Sequence, residues 1–127
     1  ERDTLEKFYQ VLARKAKDDS FWEGKGSLIS SLEGYGRGKG SGKTMALYYY
    51  PGDPQGPGSY AQSNFFKTRQ TARNFAYLYL LYVQKGIISD RNEASNLSYQ
   101  LVACVQGKTM PPRLKTDDLP TFIEDLQ

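Results

Sequence analysis

Histidine is absent from this 127-residue chain. That removes the usual general base and the commonest neutral metal ligand. Cys104 is the only cysteine, so neither an internal disulfide nor a thiolate metal cluster can be built, and redox compartment is not legible. Long apolar runs are missing as well. The longest, Phe75 to Val83, has nine residues, against the ~20 a helix needs to span a bilayer. Nothing at the start reads as a signal or transit peptide. The chain opens at Glu1 rather than Met, which is what removal of a targeting segment would leave.

The most informative shortage is of acid. Between Glu33 and Asp90 stands one acidic residue, Asp53, beside seven basic ones: Arg37, Lys39, Lys43, Lys67, Arg69, Arg73 and Lys85. Acids return at both ends, and the last eleven residues hold Asp117, Asp118, Glu124 and Asp125 with no base. The net charge of +3 therefore hides a polarised molecule. Such a layout builds a positive surface that attracts something negative. No catalytic signature competes with it, so the sequence supports a docking protein better than an enzyme.

What is present fits one globular domain with a short appendage. A chain of this length buries roughly two-thirds of its unfolded surface, enough for a core without disulfide or metal. Ten Tyr, six Phe and Trp22 supply much of that core. Tyr suits half-buried positions because its ring buries while its hydroxyl stays wet.

Periodicity predicts an all-α chain. Leu5, Phe8, Tyr9, Leu12 and Ala16 recur at helical spacing over residues 3–17. Asp3 with Glu6, and Ser20 with Glu23, have the capping-box offset, the second pair opening a helix over 21–33. Five glycines in residues 34–42 exclude a packed element. Residues 44–50 are readable as strand or helix, and the Pro- and Gly-rich stretch 51–59 is a loop. The strongest helix spans about 60–85. Phe65, Ala72, Ala76, Tyr79 and Val83 form one face, Gly86 is its natural stop, and its nearly all-apolar second half marks it as central. Asp90 and Glu93 open a helix ending near Gly107, with Ala94, Leu97, Leu101, Cys104 and Val105 facing the core. Pro111 and Pro112 break the chain. Leu119, Phe122, Ile123 and Leu126 predict a short last helix, with Pro120 tolerated in its first turn. Four helices with mostly short joins predict an up-down bundle over residues 1–107 and a C-terminal appendage over 108–127.

Several constellations invite chemistry and do not sustain it. Residues 36–44 approach a phosphate-binding loop, yet the first Gly of G-x-x-x-x-G-K-[ST] falls on Arg37, and no buried strand precedes it. A flexible basic loop is the better reading, and such a loop can order itself on an acidic partner. Arg69 and Arg73 stand one helical turn apart, a like-charge spacing that costs about 0.2–0.5 kcal/mol and points to a partner that compensates it. Tyr48, Tyr49, Tyr50 and Tyr60 stack bases in one reading and cover the end of a core in another. The neighbouring carboxylates Asp18/Asp19, Asp117/Asp118 and Glu124/Asp125 read as caps and solubilising charge, not as a two-carboxylate or calcium site. Cys104 reads as a small buried hydrophobe. Asn96-Leu97-Ser98 matches a glycosylation sequon but falls within a predicted helix.

The opening helix Asp3-Thr4-Leu5-Glu6-Lys7-Phe8-Tyr9, the aromatic turn Ser20-Phe21-Trp22-Glu23 and the long helix from Lys67-Thr68-Arg69-Gln70 to Leu81-Tyr82 carry a resemblance. With the tail after Pro111-Pro112, the chain resembles the extrinsic lumenal subunits of the photosystem II oxygen-evolving complex. It is most similar to the diatom type, whose four-helix bundle is like the Q-type subunit of green plants. The resemblance implies a non-enzymatic accessory protein of the chloroplast thylakoid lumen, peripheral to the membrane and monomeric before docking. It would bind intrinsic and extrinsic photosystem subunits electrostatically, shield the manganese–calcium cluster and help retain calcium and chloride, while holding no metal or cofactor itself.

On this reading the docking residues are Arg37, Lys39, Lys43, Lys67, Arg69 and Arg73, with Lys39 and Lys43 as point charges and Arg69 and Arg73 as bidentate partners of carboxylates. The rival reading is a single-stranded nucleic-acid-binding module that uses the same bases and the Tyr cluster. The acids at both ends would then face phosphates. A small hydrolase has no nucleophile–base pair to support it.

Overall fold

The computed structural model describes residues 2–23, 66 and 68–127. Among them are four α-helices and no strand: α1 (Arg2–Ala16), α2 (Arg69–Gln84), α3 (Arg91–Gly107) and α4 (Leu119–Leu126). Short 3-10 turns span Asp19–Trp22 and Thr116–Asp118. None of the described helices is long and apolar enough to cross a membrane. The Gly-rich stretch 34–42, the ambiguous residues 44–50, the loop 51–59 and the Tyr cluster lie outside the described residues.

Local chemistry sets the helix ends. Thr68 is extended (φ −142°, ψ 160°) and its hydroxyl accepts from the Thr71 N–H at 3.1 Å. This N-cap starts α2 at Arg69 rather than near Tyr60, because a cap residue takes non-helical dihedrals and satisfies an otherwise unpaired amide of the first turn. Residues 60–65 lie outside the description. The helix expected over 21–33 begins instead as the turn Asp19–Trp22, capped by Asp18, whose Oδ1 accepts from Ser20 N and Oγ at 3.1 and 2.7 Å; residues 24–33 are not described. At the start of α3, Asp90 Oδ1 accepts from the Glu93 N–H at 2.9 Å, as the spacing predicts. Glu93 does not return the bond; its carboxylate pairs with Arg113. Gly86 takes φ 80° just beyond α2. After α3, by contrast, the left-handed residue is Lys108 (φ 55°), one position past Gly107.

One core joins all four helices. α2 is central and packs on α1 and α3, while α4 packs on α1. Phe8, Tyr9, Leu12, Phe75, Leu78, Tyr79, Tyr82, Ile88, Leu97 and Leu101 are buried in it. So are Leu119, Phe122, Ile123 and Leu126 of α4, within the stretch 108–127 expected as a C-terminal appendage. α4 presents its apolar stripe to α1, and Phe122 also meets α2, its ring centroid 6.1 Å from that of Tyr82. Tyr9 and Tyr82 tie the intervening loop to the same core. The Tyr9 hydroxyl lies 2.6 Å from the Thr109 carbonyl, and Tyr82 donates to the Pro112 carbonyl at 2.5 Å.

Candidate docking surface

Of the six expected docking residues, Arg37, Lys39, Lys43 and Lys67 lie outside the described residues. Arg69 is exposed at the first position of α2. Arg73, one turn on, is 13% exposed and is engaged inside the fold: Nη1 meets Asp19 Oδ1 at 2.9 Å, and the guanidinium carbon sits 5.9 Å from the Trp22 ring centroid. A guanidinium over an indole contributes about 0.5–1 kcal/mol near the surface. Because Asp19 is 88% exposed, the ion pair adds little energy by itself; it sets geometry.

That geometry fixes where the basic stretch leaves and rejoins the core. Trp22 Nε1 donates to the Ala16 carbonyl at 2.8 Å, which folds the turn back onto the end of α1. Phe21 stacks on Tyr77 at 4.5 Å, and Trp22 meets the same ring edge-on at 6.3 Å. Phe66 is buried and stacks on Phe75 at 5.3 Å. Gln70 Nε2 lies 3.3 Å from the Ala13 carbonyl. Glu23 and Thr68, which bracket the stretch carrying Arg37, Lys39 and Lys43, are thus mounted at one end of the core. Arg14 and Lys15, in the last turn of α1, belong to the same end. Desolvation, followed by the Asp18 charge, holds the Tyr77 hydroxyl above its ordinary pKa, and Asp18 itself sits low because Ser20 bonds its carboxylate.

Lys85 closes the basic tract differently. It pairs with Asp125 of α4 and lies 4.8 Å from the Phe122 ring centroid. Its charge is met by an acid from the chain's acidic end, a neutralisation the linear charge count does not show.

Burial governs the remaining titratable candidates. Cys104 is buried, its Sγ lies 3.3 Å from the Leu101 carbonyl, and burial pushes the thiol up to about 11. The thiol is therefore protonated at neutral pH, and thiolate nucleophilicity is suppressed. Burial likewise raises the Tyr9 and Tyr82 hydroxyls. In the sequon, Ser98 is buried within α3 and bonds to the Ala94 carbonyl at 2.5 Å. Asp118 acts as a cap, its Oδ2 accepting from Lys115 N at 2.8 Å.

Two features escaped the sequence reading. The loop 108–115 carries Lys108, Arg113 and Lys115 with no acid, a second basic run that the longer one overshadowed. Arg113 is committed to Glu93, Nη2 meeting Oε1 at 3.1 Å. The other feature is a groove of about 670 Å³ between α1, the start of α2 and the end of α3, with Tyr9, Thr68 and Thr71 among its walls. Its lining comes from three separated stretches, so only the fold reveals it. A scan against protein-family models, a search of curated proteins and a search of solved structures each return no match for this chain.

Proposed function

We propose that the protein is a non-enzymatic accessory subunit that docks on the lumenal face of photosystem II and stabilises the manganese–calcium cluster by helping retain calcium and chloride. On this reading it works in the chloroplast thylakoid lumen as a peripheral, metal-free protein, built on an up-down four-helix bundle. One observation carries the reading. The stretch 24–67, with five bases and two acids, is flanked on both sides by the same aromatic and ionic cluster, Asp19, Phe21 and Trp22 against Arg73 and Tyr77. A fixed mount turns a basic sequence into a basic surface, and such a surface steers and orients association with an acidic protein face.

The roles divide accordingly. Arg37, Lys39, Lys43, Lys67 and Arg69 are the docking cations. Arg73 serves them from behind by joining α2 to the turn that precedes the basic stretch. The acidic surroundings of a manganese–calcium cluster would be the complementary partner.

The test is rebinding to salt-washed photosystem II membranes, read as bound protein and as restored oxygen evolution. Reversal of Lys39 and Lys43 to Glu is expected to weaken rebinding by about tenfold or more, the scale of one to two exposed charge pairs reversed in sign, with an unchanged helical circular dichroism spectrum. Wild-type rebinding by this variant at moderate salt contradicts the reading. Tighter binding to a single-stranded oligonucleotide than to the membranes replaces it with the nucleic-acid reading.

A further inference from the structure

We propose that the groove between α1, α2 and α3 binds an extended acidic peptide segment of a protein partner. Its volume, about 670 Å³, falls within the ~300–1,000 Å³ of sites that enclose ligands. Four carboxamides line it: Gln10 from α1, Gln70 and Asn74 from α2, and Gln106 from α3. The Gln10 carboxamide offers a donor pair and an acceptor together. That combination matches the alternating N–H and C=O groups of an extended backbone, the part of a peptide that gives affinity without regard to sequence. Gln70 Nε2 donates to Asn74 Oδ1 at 2.7 Å. With its bond to the Ala13 carbonyl at 3.3 Å, this spends the Gln70 donors inside the fold, orients both side chains and leaves the Gln70 carbonyl and the Asn74 NH2 facing a ligand.

Charge sets the sign of the occupant. Among the described residues that line the groove, the cations are Arg2 and Lys108, both exposed, and the acid is Glu6. Lys108 is the more informative of the two. It takes φ 55°, a conformation that glycine adopts at least cost, although Gly107 stands one residue earlier. A lysine kept at a strained helix end on the wall of a groove is a lysine whose charge is used. An acidic segment satisfies these cations while its backbone meets the amides.

The inference rests on the docking reading in one respect, that the partner is a protein with acidic surface. It is tested on the full chain by fluorescence anisotropy with a labelled decapeptide of alternating Glu and Ser. A Gln–Ser decapeptide and a ten-residue oligothymidylate run in parallel. The acidic peptide is expected to bind about tenfold more tightly than the neutral one. Gln10→Ala should weaken it at unchanged melting temperature. Lys108→Gly should weaken it about fivefold, the scale of one exposed ion pair, while raising the melting temperature. Equal binding of the two peptides, wild-type affinity in Lys108→Gly, or tighter binding of the oligothymidylate than of the acidic peptide overturns the proposal. The two readings fail separately. Loss of membrane rebinding in the Lys39/Lys43 variant leaves this titration intact, and a flat titration leaves docking through the basic stretch intact.

Discussion

Cys104 shows how much a residue's role depends on its neighbours. In the chain it is the one thiol among 127 residues; in the fold it sits beside two buried phenols. The Tyr9 hydroxyl lies 3.0 Å from the Cys104 carbonyl as well as 2.6 Å from that of Thr109. All three acidic groups are held in their neutral forms by burial. The consequence is alkaline lability with a definite sign. The Cys104 pKa is raised from 9.0 to about 11 on folding, so its contribution is complete below pH 9 and is lost as pH climbs toward 11. Over that window the unfolded chain releases the proton first, and each pH unit costs about 1.4 kcal/mol. Tyr9 and Tyr82 join above their ordinary value of 10. Urea unfolding from pH 7 to 10.5 should show a plateau and then a fall of stability by about 3–4 kcal/mol. Cys104→Ala should delay the onset by about one pH unit, to where the phenols begin. A fall starting at the same pH in that variant assigns the lability elsewhere.

At the scale of elements, α4 shows how a short helix is tied to the core by its apolar stripe. Its four apolar residues, Leu119, Phe122, Ile123 and Leu126, are each buried against the common core. Burial of such side chains is worth about 1.5–3 kcal/mol apiece, and together they approach the ~5–15 kcal/mol that holds a domain folded. A chain ending at Gly107 is therefore expected to lose its cooperative thermal transition. A cooperative melt near the wild-type temperature would make 108–127 a true appendage. The stripe of α4 was legible as period 3.6 spacing, but what it would pack on was not. Pro111-Pro112 reads as a break in either case, and nothing local says that Tyr9 and Tyr82 reach out to bind the far side of it. The Asp90 cap, the Gly86 stop and the core face of α3 were legible because each rests on contacts within one turn. The start of α2 was not, since apolar spacing continues upstream of Thr68 and only the cap ends the helix. Lys85 and Arg73 were legible as charges. Their partners, Asp125 and Asp19, lie forty and fifty-four positions away, beyond any local pattern, so the sequence overcounts the cations left for docking.

For the molecule as a whole, the central claim is that cations gathered at one end of a helical core drive association with an acidic protein face. Exposed charges a Debye length apart are screened, about 10 Å at 0.1 M salt, whereas a seam of apolar contacts would be indifferent to salt or strengthened by it. The most direct measurement is the dissociation constant for salt-washed photosystem II membranes as a function of sodium chloride, for the wild type and for the Lys39/Lys43 reversal. Wild-type affinity is expected to fall at least tenfold between about 50 and 500 mM salt, with a shallower slope for the variant. Affinity that holds constant across that range, or slopes that coincide, would contradict it.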